Sequence, residues 1–116
     1  MKTMLLVLLL AVAGAAAGSF EERMADAIFV SEGGSKAKVP YGILSCKVKD
    51  QSDARRICIR SIENNIKRWE AANRPCDFVT WMARRWTPIS HDPNGHINWI
   101  KNVNSLLKKY GAQPPQ

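Results

Sequence analysis

The sequence is poor in the side chains that build metal and nucleophilic centres: 116 residues contain two histidines and three cysteines, with no Cys-x-x-Cys spacing. His91 and His96 flank a Pro93-Asn94-Gly95 turn rather than sharing a helical face, so no metal site and no cofactor is expected. Nothing local pairs a cysteine with a histidine, which argues against thiol catalysis and makes Cys46, Cys58 and Cys76 structural. An oxidising compartment would allow them one disulfide with one thiol left over, and the pairing stays open. Alternating strand patterns longer than a few residues are missing, as are internal repeats, so the class is mainly α. Acidic side chains are scarce too, 10 against 17 Lys and Arg, for a net charge of +7. That balance points to an anionic partner.

Long apolar runs are also lacking, except at the amino terminus. Lys2 supplies a positive charge, Met4 to Ala13 an uncharged apolar core, and Ala15, Ala16, Ala17 and Gly18 small residues for cleavage. The run falls short of the about 20 residues that span a bilayer. Residues 1–18 therefore read as a cleavable signal peptide, which addresses the chain to the periplasm or the extracellular space with no stable membrane anchor. Residues 19–116 suffice for one domain with a modest core, acting as a monomer. Export makes nucleic acid a poor candidate for the anionic partner and leaves cell wall or anionic lipid.

The mature chain opens on Ser19-Phe20-Glu21-Glu22, a capping box, and Met24, Ala27, Ile28 and Ser31 share a helical face that Gly33-Gly34 ends. Tyr41 to Ser45 reads equally as a short helical turn or a buried extended piece. Ser52-Asp53 is expected to cap a long helix carrying Ala54, Ile57, Cys58, Ile62, Ile66 and Trp69, closed by Arg74-Pro75. Asp77 caps another, with Phe78, Trp81, Met82 and Trp86. Thr87 to Gly95 reads as a loop. A final helix near Ile97 to Tyr110 aligns Ile97, Ile100, Val103, Asn104 and Leu107 before Gly111. Trp69, Trp81, Trp86 and Trp99 should mostly fill the core, with one or two left to stack on sugar rings.

Glu32 stands out chemically. A carboxyl at the end of an apolar helix meets the negative end of the helix dipole and a dry neighbourhood, and both disfavour ionisation. Such a group keeps its proton near neutral pH, as a general acid must when it protonates a glycosidic oxygen. Gly33 and Gly34 leave space beside it.

The stretch Ala27-Ile28-Phe29-Val30-Ser31-Glu32-Gly33-Gly34-Ser35, with Tyr41-Gly42-Ile43-Leu44-Ser45 after it, resembles the core of the lytic transglycosylase and lysozyme-like superfamily. There an apolar helix ends in the catalytic Glu, and a Gly-Leu-Met-Gln stretch lines the cleft. The tail, with Arg85-Trp86-Thr87-Pro88 and Asn98-Trp99 through Asn102-Val103, is similar to small exported or phage-associated members. The resemblance implies a compact lysozyme-like helical domain that cleaves the MurNAc-GlcNAc β-1,4 bond of peptidoglycan. Glu32 would be catalytic, with Ser35, Tyr41, Gly42, Ile43, Ser45 and Trp86 binding the glycan. Glu32 lacks the usual following serine, and Ser45 replaces the usual glutamine.

A transglycosylase needs one carboxylate, because the muramoyl 6-hydroxyl closes an anhydro ring; a lysozyme-type hydrolase normally needs a second across the cleft. Asp50, Asp53, Asp77 and Asp92 are the candidates, yet Asp53 and Asp77 look like caps and Asp50 and Asp92 like loop residues. The binding-class alternative is a secreted basic module docking through Arg55, Arg56, Arg60, Lys67, Arg84 and Arg85.

Overall fold

A computed structural model describes residues 18–44 and 46–115; residues 1–17, where the expected signal peptide falls, and Ser45 lie outside the described residues. Among the described residues there are four α-helices and two short 3-10 turns, and no strand. Helix α1 spans Phe20–Ser31 and begins with the reciprocal cap written in the sequence. The Glu22 N–H donates to Ser19 Oγ at 3.1 Å, and the Ser19 N–H donates to Glu22 Oε1 at 3.2 Å. The helix ends on Glu32. Its N–H still donates to the Ile28 carbonyl at 2.9 Å, after which Gly33 turns away with φ 111°.

Helix α2, Gln51–Ala71, starts two residues earlier than expected, with Asp50 as its cap: Asp50 Oδ1 accepts from the Asp53 N–H at 2.8 Å. Asp53 instead lies in the first turn, accepting from the Lys49 N–H and pairing with Arg56. An Asp at the cap outcompetes Ser52 because its carboxylate reaches the third helical N–H while also opposing the dipole. Helix α3, Phe78–Trp86, is capped by Asp77 as expected, through the Thr80 N–H at 3.2 Å. Helix α4, Pro93–Lys109, takes in the last three residues of the segment that reads as loop. Pro93 is well suited to the first helical position, where no N–H is needed, and Asp92 accepts from the Gly95 N–H at 3.0 Å.

Helix α1 packs against both α2 and α4, α3 closes the remaining side against those two, and the core lies between them. Met24, Ala25, Ala27 and Ile28 of α1 meet Ala54, Cys58, Ile62 and Trp69 of α2, Phe78, Val79, Met82 and Ala83 of α3, and Trp99, Val103 and Leu107 of α4. Two edge-to-face contacts, Phe20 on Phe78 at 5.9 Å and Trp69 on Phe78 at 5.4 Å, tie the start of α1 to α2 and α3. The buried face of α4 is rotated from the expected one. His96 and Trp99 turn inward while Ile97 and Asn104 are exposed, because two inward side chains find hydrogen-bond partners below the surface. Of the tryptophans, Trp69 and Trp99 fill the core, whereas Trp81 and Trp86 are half-buried. All three cysteines are free thiols, Cys58 buried and Cys46 exposed. No described helix is long and apolar enough to cross a membrane.

Candidate active site around Glu32

The capping position fixes where the Glu32 backbone lies, and two neighbours fix its carboxyl. From α4, Trp99 Nε1 donates to Glu32 Oε2 at 3.1 Å. From the other side, Gly42 approaches so closely that a Cβ built on it would stand 2.7 Å from Glu32 Cδ and Oε1. The carboxyl is half-buried, and burial raises its proton affinity above the ordinary glutamate range; the Trp99 hydrogen bond pulls the other way without cancelling the effect. The result is an acid that holds its proton longer than a solvated glutamate does.

Gly42 owes its place to an unusual turn. The 3-10 turn Pro40–Gly42 carries Tyr41 at φ 61° and ψ 8°, a left-handed conformation that is costly for a residue with a Cβ. Surrounding contacts hold it there. The Tyr41 ring is buried and tilted against Phe29 at 5.0 Å, and its carbonyl accepts from Trp86 Nε1 at 2.9 Å. Gly42 follows at φ 68°, and the chain then extends through buried Ile43 to Leu44, which is 84 % exposed.

Beyond Gly42 opens a groove of about 420 Å³. Gly42, Ile43 and Leu44 form one bank, Ile57 and Ser61 of α2 contribute further lining, and Arg85, Trp86, Thr87, Pro88, His91 and Asp92 complete it. The bend after α3 is pinned to α4 by the His96 Nδ1 to Thr87 carbonyl contact at 2.7 Å. Apolar walls with a few polar groups suit a ligand with both ring faces and hydroxyls.

No family model, characterised protein or solved structure matches the chain. Its function must be argued from these side chains.

Gly42, Ile43 and Trp86 line the groove together; Glu32 is not among the lining residues and adjoins the groove only through Gly42. Tyr41 is not on the groove surface: its side chain turns into the core, where the ring packs against Phe29. Ser35 is exposed in the 3-10 turn Gly34–Lys36 and does not line the groove. Of the four candidate second carboxylates, Asp50, Asp77 and Asp92 are helix caps, and Asp53 serves the Lys49 N–H and Arg56. Asp92 lines the groove, but its Oδ1 accepts the Gly95 N–H. The contacts that sequence reasoning missed are the Trp99 bond to Glu32 and the Asp26–Arg55 pair between α1 and α2. Trp99 carried a faint signal, since a core tryptophan needs an acceptor for its N–H.

Proposed function

We propose that the chain is an exported peptidoglycan lytic transglycosylase with a lysozyme-like helical domain, and that Glu32 is its general acid and base. The observation that carries this reading is the Glu32 carboxyl itself: half-buried, with raised proton affinity, held between Trp99 and Gly42, the latter a residue of the groove wall. The glycan strand lies along Gly42, Ile43 and Trp86, with a sugar face on the indole. Glu32 gives its proton to the glycosidic oxygen as that bond breaks and positive charge develops at the muramoyl anomeric carbon. The resulting carboxylate then takes the proton of the muramoyl 6-hydroxyl, whose oxygen bonds to the anomeric carbon and closes the anhydro ring. The proton lost in the first step is thereby regained.

One acid suffices for both steps, and this agrees with the engagement of Asp50, Asp53, Asp77 and Asp92 elsewhere. A hydrolase would instead require a carboxylate free to activate water or to form a covalent intermediate. The resemblance of residues 24 to 45 to the transglycosylase core and the excess of basic side chains over acidic ones support the same reading, since the wall and its attached polymers are anionic.

The test is incubation of the mature protein with purified peptidoglycan, followed by mass analysis of the released fragments. Anhydro ends are expected from the native protein, and none from a folded Glu32→Gln variant. Reducing ends would make it a hydrolase, and undegraded glycan would leave a basic binding module.

A further inference from the structure

The two oxygens of the Glu32 carboxyl face different neighbours. Oε2 accepts from Trp99 Nε1 at 3.1 Å. Oε1 lies on the Gly42 side, 2.7 Å from where a Gly42 Cβ would stand, and Gly42 belongs to the groove wall. An indole N–H can only donate, and it bonds best to an oxygen that carries no proton. In the neutral acid the oxygen facing Trp99 is therefore the carbonyl, and the hydroxyl is the other one. The indole direction is fixed along α4 on both sides. Trp99 is 5 % exposed; one turn earlier His96 Nδ1 meets the Thr87 carbonyl at 2.7 Å, and one turn later Val103 is fully buried.

We propose that Trp99 is a positioning residue for Glu32, whose N–H holds Oε2 as the carbonyl oxygen so that the dissociable proton is carried on Oε1, facing Gly42. The same bond acts on the ionised state. A hydrogen bond to a charged oxygen is about twice as strong as one to a neutral oxygen, so Trp99 favours the carboxylate while burial favours the acid, and burial prevails. The other groups around the carboxyl do not supply this orientation. Among the described residues Glu32 forms no ion pair. Cys58 of α2, whose thiol is pushed up to about 12 mainly by burial, is uncharged at neutral pH, and the Tyr41 ring turns away against Phe29. His96 of α4 is engaged at the Thr87 carbonyl, and Gly42 brings no side chain.

That Glu32 is the reacting acid rests on the function proposed above; the placement of its proton is read without any glycan. The experiment uses the purified protein and its Glu32→Gln, Glu32→Ala and Trp99→Phe variants, with folding checked by circular dichroism. Carboxyl carbon NMR follows the Glu32 titration, and proton–nitrogen NMR follows the assigned indole N–H resonances over the same pH range. The Trp99 proton is expected to move downfield as pH rises, with the Glu32 midpoint, because its acceptor gains charge. Trp69, bonded to the neutral Cys76 carbonyl at 2.7 Å, should stay still. Below the midpoint the Trp99 resonance should match that of Glu32→Gln, where an amide carbonyl meets the indole, and differ from that of Glu32→Ala, where no acceptor remains. In Trp99→Phe the Glu32 midpoint should rise by about one pH unit, the difference between a charged and a neutral hydrogen bond. If Trp99→Phe does not fold, the resonances of the native protein decide alone. A Trp99 resonance that ignores the Glu32 titration, or that coincides with Glu32→Ala below the midpoint, would overturn the proposal even if the native protein cleaves glycan. So would an unmoved midpoint in folded Trp99→Phe. A Trp99 resonance that behaves as expected in a protein that cleaves nothing would uphold the placement and remove only the enzymatic reading.

Discussion

Replacing Gly42 by alanine separates two costs that usually arrive together. Gly42 and Gly111 have the same φ of 68°, but a Cβ at Gly42 meets Glu32 Cδ and Oε1 at 2.7 Å, whereas at Gly111 nothing lies within 4 Å. Both substitutions therefore incur the left-handed backbone penalty, about 1–2 kcal/mol. Only Gly42→Ala must also push a carboxyl out by several tenths of an ångström, because ordinary carbon contacts begin near 3.4 Å. The 3.1 Å bond from Trp99 does not survive that movement intact, and losing it adds about 1.5 kcal/mol. For a domain of this size 1 kcal/mol corresponds to about 4–8 °C in Tm. Gly111→Ala should thus melt roughly 4–16 °C early, and Gly42→Ala about 6–12 °C below Gly111→Ala. Glycan release should fall about a hundredfold in Gly42→Ala alone, as misplacing a reacting group by about 1 Å typically does. Thermal unfolding followed at 222 nm and fragment release measured side by side make the comparison. Equal melting temperatures for the two variants, with activity retained in Gly42→Ala, would refute the close approach of Gly42 to the acid.

Glu32→Gln should be more stable than the native protein at neutral pH. Burial gives the folded chain a higher affinity for the Glu32 proton than the unfolded chain has, so stability declines as pH rises from the ordinary glutamate range through the raised folded value. A glutamine has no such decline, and the Tm difference should close on acidification below that range; a difference independent of pH would contradict the burial argument. Asp50→Ala should cost about 1 kcal/mol, a fall of about 4–8 °C, by removing the cap of α2, which a melting curve measures directly. A thiol reagent at neutral pH should modify exposed Cys46 in the native protein and spare Cys58, whose burial pushes its thiol up to about 12, until denaturant is added. Peptide mapping after brief labelling checks the order.

The helices were legible because their signals are local. The Ser19 and Glu22 box, the Asp77 cap and the glycines after Glu32 need only neighbouring residues to act, and each behaves as read. Asp50 and Asp92 read as loop residues, since a cap is recognised by the periodic apolar face after it; in both cases that face begins three or more residues later. In α4, Trp99, Val103 and Leu107 are buried as the pattern indicates, but His96 takes the inward place expected of Ile97, because histidine counts as polar in a pattern and is buried here by meeting the Thr87 carbonyl. Around Glu32 the sequence indicates the dipole, the glycines and a dry neighbourhood, but not the source of the dryness. That comes from Gly42 and Trp99, brought in from distant parts of the chain, and no spacing rule connects them. The positive φ of Tyr41 was equally hidden, since an aromatic residue gives no local sign of it.

The bond between Glu32 and Trp99 spans 67 residues, and that between Tyr41 and Trp86 spans 45. Long closures are entropically late, so α1 with its capping box can form while Glu32 is still a hydrated, ordinary glutamate. As the chain emerges in order from its amino-terminal side, the acid appears 67 residues before its indole donor. The proton-holding state of Glu32 is therefore a property of the finished fold. A nascent, truncated or partly unfolded chain carries the acid without its chemistry, so loss of the raised Glu32 titration reports on the docking of α4 as directly as any spectroscopic probe of structure.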